Sequence, residues 1–345
     1  WRRKTKCKEH NPIPVTPPKT TTTISGELVT FNGYFRYLEQ EGYISRLPIF
    51  QKVTRESLRY FRRDYLTLTK PRVVAVLVLT SMVGMLLASP VLPSIELFIL
   101  ANVGIGLAAS AAAAVNHVVD RRIDAMMSRT KHRPVSDGKI SPANALLFAF
   151  VLGVTGLGTL VIVANLLTAV LTFTSIIAYA VVYTLYLKRA TPQNIVIGGI
   201  AGASPPLLGW VAVTNTIDPY ALLLVAIIFA WTPPHFWALC IAKKEDYANA
   251  DIPMLPVTHG DEYTRLQMLL YTILMILVTL LPYLSGMSGV FYLAGITVIN
   301  VRFLMLLQKY SDSKDPQDAL YLFWYSIRYI MWLFLFLLVD HFVAF

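Results

Sequence analysis

Cysteine is almost missing from the chain: Cys7 and Cys240 are the only two among 345 residues. Two thiols so far apart exclude a disulfide framework and a thiolate metal cage, so no redox chemistry is argued from them. Charge is scarce as well. Asp, Glu, Lys and Arg make up 14% of the residues against 55% hydrophobic ones, where a soluble globular chain carries about a quarter charged. With a mean hydropathy of +0.56, most of the chain belongs in lipid. The long apolar stretches also lack any alternation of polar and apolar residues. That excludes a transmembrane barrel and leaves helices to satisfy the backbone where there is no water. Acids are the rarer sign, 20 against 30 Lys and Arg for a net +10. The basic residues flank apolar runs, so the excess points to anionic lipid or an anionic substrate and not to nucleic acid.

What is present falls into two parts. Residues 1–65 form a basic, Pro- and Thr-rich extension with no run long enough to span a bilayer; residues 66–345 are the membrane domain. Residues 11–23 hold four prolines and several threonines, a composition expected to be disordered, and residues 57–68 are expected to form a basic surface helix before the first span. The chain starts at Trp1, which reads as a processed or truncated product whose extension is compatible with a targeting role.

From Val73 onward the apolar stretches run 73–90, 95–118, 142–162, 165–187, 194–214, 219–241, 266–285, 288–308 and 322–343. Each has about the length a helix needs to cross roughly 30 Å of hydrocarbon, so the fold class expected is all-α, a bundle of nine transmembrane helices. Loop charge tests the count independently. Lys70 and Arg72 precede the first span, and Arg121, Arg122, Arg129, Lys131, Arg133 and Lys139 follow the second. Lys188 and Arg189, then Lys243, Lys244 and Arg265, then Lys309 and Lys314 fill every second loop after that, and the intervening loops hold neither Lys nor Arg. A miscounted span would destroy this alternation. It predicts an N-terminus on the cytoplasmic, or equivalent matrix, side. Arg302 and Arg328 fall within about two turns of the same side, from which they can snorkel, and read as structural.

The polar residues of interest gather on that basic face. In Asn116-His-Val-Val-Asp120-Arg-Arg-Ile-Asp124, positions four apart drift only about 40° per step around a helix, so one carboxamide and two carboxylates form a stripe. These are hard oxygen ligands of the kind Mg²⁺ accepts while keeping waters and phosphate oxygens. A solvated helix end, its acids paired to neighbouring arginines, is the bland alternative. Arg129, Lys131 and Arg133 follow at once, and carboxylate-bound metal beside such cations describes a diphosphate site in charge terms. A second acidic cluster, Lys243-Lys-Glu-Asp246-Tyr247-Ala-Asn-Ala-Asp251, lies on the same face; two clusters can each hold a metal against one shared diphosphate. Lys188 and Arg189, after Tyr183 and Tyr186, add two more cations there. Of the histidines near this face, His117, His132 and His235, the last lies in Trp231-Thr-Pro-Pro-His, where two prolines are expected to interrupt the span and open a cavity.

These motifs resemble the intramembrane UbiA-type prenyltransferase superfamily. Within it, Leu68-Thr-Lys-Pro-Arg72, Arg129-Thr-Lys-His-Arg-Pro134, the run Tyr183 through Gly199, Asp246-Tyr247 and Ile252-Pro-Met-Leu-Pro-Val257 resemble the protohaem IX farnesyltransferase branch. The resemblance covers about residues 65–343. It implies farnesyl diphosphate and haem B as substrates, haem O and diphosphate as products, and Mg²⁺ as cofactor. Carried onto this chain, it puts the metal on Asn116, Asp120, Asp124 and Asp246, with Tyr247 beside them in the catalytic set. It puts the diphosphate on Arg129, Lys131, Arg133, Lys188, Arg189 and Lys243, and leaves His117, His132, Tyr183, Tyr186 and His235 as acceptor-binding candidates. The farnesyl tail would lie along the small residues of 104–114 and 198–202, which serve equally for close helix packing. One departure stands out: many superfamily members space the second acidic pair by four, whereas Asp246 and Asp251 are five apart and would face about 140° apart on a helix, so only Asp246 is carried over. A bacterial inner membrane is implied, with a mitochondrial inner membrane as alternative, and haem A synthase or terminal oxidase assembly as downstream partners. Rival readings are a prenyltransferase for a quinone precursor or chlorophyll-like acceptor, and, from another class, a transporter. The acids crowd one surface instead of crossing the bundle, which disfavours transport.

Overall fold

The computed structural model describes residues 55–343, with side chains from Arg62 onward, and every regular element among them is helical. The proline-rich stretch at 11–23 lies outside the described residues. Helix α1 (Arg55–Leu68) is followed after two residues by α2 (Pro71–Leu87). Lys70 sits between them in a left-handed conformation, φ 49°, because the following proline disfavours the right-handed helical region for it. The two helix axes consequently meet at 52°.

The remaining helices start where short polar side chains and prolines say they should. Ser94 caps α3 (Ile95–Val119) by accepting from the Leu97 amide at 3.3 Å, and Ser141 caps α5 (Pro142–Val163) through Asn144 at 3.2 Å. Asn165 caps α6 (Leu166–Ala190) through Thr168 at 2.8 Å, and Asp218 caps α8 (Pro219–Ala242) through Tyr220 at 2.7 Å. Each satisfies an amide that has no partner inside its own helix. Short α4 (Arg121–Met126) follows α3, and α7 (Asn194–Thr214) follows α6. Beyond α8 come α9 (Lys244–Asn249), α10 (Leu255–Thr258), α11 (Gly260–Leu284), α12 (Val290–Ser313) and α13 (Pro316–Val343).

Among the described residues eight helices are long and apolar enough to cross a membrane, and a ninth is counted when α1 and α2 are taken as one bent span. All nine expected stretches are therefore helical, but the first is short: α2 stops at Leu87, 17 residues in, just ahead of Pro90, which cannot continue a helix. The expected interruption at Pro233-Pro234 is absent. Helix α8 runs through both prolines unbroken. They deprive the Phe229 and Ala230 carbonyls of their usual donors, while the neighbouring Ile228 carbonyl accepts the Thr232 hydroxyl at 2.7 Å, and buried helix packing tolerates the rest.

Burial sorts the bundle into layers. The spanning window of α3 is 61% buried and those of α7 and α8 56%, against 17% for α5 and 22% for α6. The polar stripe is thus carried by an interior helix. Gly104 and Gly156 let α3 and α5 touch backbone to backbone, for a Cβ on Gly156 would stand 2.7 Å from the Gly104 carbonyl oxygen; at this point the small residues serve packing. Far from the basic face, buried Asp340 of α13 accepts the amides of Gly289 and, at 3.3 Å, Tyr292, and so caps the start of α12 from another helix.

Candidate functional site

Asp120 is the hinge between α3 and α4, yet the helical spacing passes through it. Its amide bonds the Asn116 carbonyl at 2.9 Å and its carbonyl accepts the Asp124 amide at 2.8 Å. Asn116, Asp120 and Asp124 therefore keep one face, as the spacing predicted, and all three are at most 4% exposed. Carboxylates buried that deeply require partners. Lys188 Nζ meets Asp120 Oδ2 at 2.6 Å, and Arg133 Nη1 reaches both oxygens of Asp124 at 2.7 and 2.8 Å. Asn116 donates to Asp120 at 2.8 Å and to Thr184 at 3.3 Å, while its carbonyl oxygen accepts from Lys70. Two residues assigned to the metal, Asp120 and Asp124, are thus paired with two assigned to the diphosphate, Lys188 and Arg133.

Helix α6 brings Lys188 in. Over Ala178–Leu187 it winds as a π-helix, and the Thr184 hydroxyl donates to the Tyr179 carbonyl at 2.8 Å, five residues back. Such wide turns are uncommon and concentrate at functional sites. Here the turn aims Thr184 at Asn116 and stacks Tyr179 on Tyr183 with ring centroids 5.7 Å apart. A Cβ on Gly198 would lie 2.2 Å from the Tyr183 ring, so only glycine leaves room for that ring. Tyr186 points the other way and is 68% exposed.

The second acidic loop is tied to the first. Ser128 donates to Asp246, its Oγ lying 2.8 and 2.9 Å from the two carboxylate oxygens. Tyr247 is buried against Cys240, and burial pushes its phenol well above the usual tyrosine range, so it stays a neutral hydroxyl. Arg129, although exposed, lies close enough to pull against that shift. Asp251 sits exposed in a left-handed turn beyond α9, φ 52°, so it does not continue the helix of Asp246. Lys131, His132 and Lys243 are exposed, and exposed Arg189 reaches back to the Val119 carbonyl at 3.4 Å.

Among the described residues two histidines are buried. His117 is 1% exposed and neither ring nitrogen has a protein partner. His235 is held between Trp231 and Phe323, with ring centroids 4.2 and 4.6 Å away, and its Nδ1 lies 2.6 Å from Ser326 Oγ. Ser326 gives its one proton to the Phe323 carbonyl at 2.6 Å. Nδ1 must then be the donor, which leaves Nε2 with a free lone pair.

Among the described residues, no three His, Cys, Asp or Glu side chains converge on a metal-sized centre. The donor chemistry nevertheless fits Mg²⁺, which takes one or two carboxylates and completes its octahedron with water and phosphate oxygens. The buried Oδ1 of Asp120 has no hydrogen-bond partner at all, an oxygen that costs stability unless something fills its place. Lys70, Ser128, Thr184 and Tyr179 belong to the cluster but not to the set predicted from sequence. Lys70 carried a signal, the Lys-Pro pair just before a span; Ser128 and Tyr179 carried none.

The profile of the UbiA prenyltransferase family matches residues 77–327. A protohaem IX farnesyltransferase from Marinobacter nauticus is 59% identical over 281 residues, which cover 81% of this chain and 93% of the relative. One from Legionella pneumophila is 56% identical over 280 residues, 81% of this chain and 95% of the relative. Among solved structures, a digeranylgeranylglyceryl phosphate synthase superposes with a TM-score of 0.68 at 18% identity over 81% of this chain and 98% of its own. A UbiA homologue from Archaeoglobus fulgidus bound to DMAPP and Mg²⁺ gives 0.55 at 15% identity over 79% and 99%. At those identities the superpositions speak for the fold alone.

Proposed function

The chain belongs to the UbiA prenyltransferase family, and from that premise we propose that it transfers a farnesyl group from farnesyl diphosphate to a vinyl group of haem B, giving haem O. The C1–O bond of the diphosphate breaks, farnesyl C1 bonds the outer vinyl carbon, and water adds its oxygen to the inner one and loses a proton. The observation that carries this reading is the 59% identity to a protohaem IX farnesyltransferase across 93% of that relative's length.

The paired site supports a partner exchange. Lys188 and Arg133 neutralise Asp120 and Asp124; when diphosphate enters, their cationic ends turn to its oxygens and the carboxylates are released. Asn116, Asp120, Asp124 and Asp246 would hold Mg²⁺, which supplies charge neutralisation to the departing diphosphate. Arg133 is suited to the anion by its planar fork and Lys188 and Lys70 as point charges, and Arg129, Lys131, Arg189 and Lys243 line the entry side. Ser128, by holding Asp246, keeps the two loops in register before the ligand arrives. The stacked Tyr179 and Tyr183 offer aromatic faces to the allylic cation, and the apolar bundle keeps water away until the vinyl carbon has been attacked. His235, whose Nε2 keeps a free lone pair, is the candidate to meet the acceptor's iron. The alternating basic loops favour the cytoplasmic, or equivalent matrix, side for this face, and bacterial relatives favour a bacterial inner membrane, with haem O passing to haem A synthase or an oxidase.

The test is to incubate the purified full chain in detergent with haem B, farnesyl diphosphate and Mg²⁺ and to follow haem O by mass. Consumption of a quinone precursor in place of haem B would replace the acceptor; movement of a substrate across vesicles with no product formed would remove the enzyme.

A further inference from the structure

On the lipid-facing side of the hairpin formed by α12 and α13 lie two arginines that the farnesyl transfer does not use. Arg302 and Arg328 are both exposed, and among the described residues neither is in ion-pair contact with a carboxylate. Each lies about two turns inside the apolar stretch of its helix, close enough to the basic side to snorkel, and both helices run on past those stretches to Ser313 and Pro316. A guanidinium that snorkels from there ends at the headgroup level, where water or an anion meets it.

Both guanidinium groups neighbour the Tyr321 phenol, and that of Arg328 lies 5.9 Å from the Tyr321 ring centroid and 6.0 Å from that of Tyr325. Side chains on a helix lean toward its N-terminus, and for α13 that is the basic side, so Arg328 is aimed at the level of the headgroups. Beside Arg302 opens a cleft of about 620 Å³ lined also by Lys309, Gln317 and Tyr321, with Met305 and Leu306 as apolar walls; Arg328 adjoins it through the Tyr321 ring. Asp318, also on its rim, is already satisfied by Lys309 at 2.6 Å and Ser313 at 2.7 Å. Two guanidinium groups beside one phenol, neither of them ion-paired to a carboxylate among the described residues, make a seat for an anion. The guanidinium fork matches phosphate oxygens, and the apolar walls and the exposed Met305 and Trp324 beside them match acyl chain.

The geometry points to a binding site for the phosphate of an anionic phospholipid, drawn from the leaflet on the basic side, where such lipids attract cationic side chains. The site shares no residue with the acid–base cluster on α3, α4 and α6, and it stands whether or not the acceptor is haem.

The full chain in detergent is tested by native mass spectrometry and thermal unfolding with three probes: a phosphatidylglycerol, the phosphatidylcholine of the same acyl chains, and inorganic phosphate. Phosphatidylglycerol is expected to remain as a retained adduct and to raise Tm, the other two to do neither. In R302Q/R328Q its affinity should fall by about tenfold or more, as expected when two charge-assisted contacts are lost. R302K/R328K, which keeps the charge without the fork, should fall between, and it decides the matter if the glutamine variant does not fold. Equal retention of phosphatidylcholine, an equal Tm rise with inorganic phosphate, or undiminished phosphatidylglycerol binding in both double variants would each overturn the assignment. So would a change in oligomeric state in R302Q/R328Q with lipid affinity unaltered, which would make this face a contact between copies.

Discussion

Lys188 and Asp120, 68 residues apart in sequence, meet at 2.6 Å in a site where the lysine side chain is 13% exposed and the aspartate 2%. That contact joins the π-wound end of α6 to the hinge between α3 and α4, so the same pair that would receive the substrate also holds two interior elements together.

Removing one partner leaves a buried charge alone. Lys188→Met is expected to lower stability by roughly 3 kcal/mol, read as Tm in detergent, and to abolish farnesyl transfer. Adding Asp120→Asn should recover most of the Tm but none of the activity. Recovery of neither would mean that the pair is not what couples the two helices.

Arg133 grips both oxygens of Asp124 through one nitrogen. Arg133→Lys keeps the charge and loses the fork, so KM for farnesyl diphosphate is expected to rise by about tenfold, the equivalent of roughly 1.4 kcal/mol, with a smaller change in kcat. An unchanged KM would take Arg133 out of diphosphate binding and leave it a structural counter-ion.

Ser128 and Asp246 separate two roles for the second loop. Asp246→Asn is expected to raise the Mg²⁺ concentration needed for half-maximal rate and to lower the rate by about a hundredfold, the scale seen when one preorganised electrostatic contact is lost. Ser128→Ala removes only the tie between loops and should change the Mg²⁺ dependence by no more than about twofold, a few tenths of a kcal/mol. Equal effects from both would mean that the tie, and not the carboxylate, is what matters.

Gly198 faces the Tyr183 ring at a distance no Cβ can share. Gly198→Val should drive that ring out of its stack on Tyr179 and cut kcat/KM by at least about tenfold, because small displacements at a reacting centre are amplified in rate. If the variant turns over normally, Tyr183 has no part in the site.

Asp340 offers the contrast. Asp340→Ala removes the acceptor for the first amides of α12 and is expected to cost about 1.5–3 kcal/mol of stability, the range for hydrogen bonds to a charged group. The surviving folded fraction should keep its full turnover, measured per unit of folded protein at a temperature below its Tm.

The nine helical stretches, their loop charges and the Asn116–Asp120–Asp124 stripe were legible because each depends on local spacing. Apolar length sets a span, Ser, Asn, Asp and Pro set its start, and a four-residue repeat sets a face. The same local logic misjudged Pro233-Pro234, where it foresaw a break: whether two prolines interrupt a helix depends on what neighbouring helices offer the freed carbonyls.

By itself, then, the sequence determined a helical bundle in lipid with acids and bases gathered at one end, since hydropathy and charge act residue by residue. Only the tertiary structure decided which polar groups would be each other's partners. Lys188 finds Asp120, Ser128 finds Asp246 and Lys70 finds Asn116 across long stretches of chain, because groups removed from water must be satisfied by whatever polar group the packing of helices brings within reach.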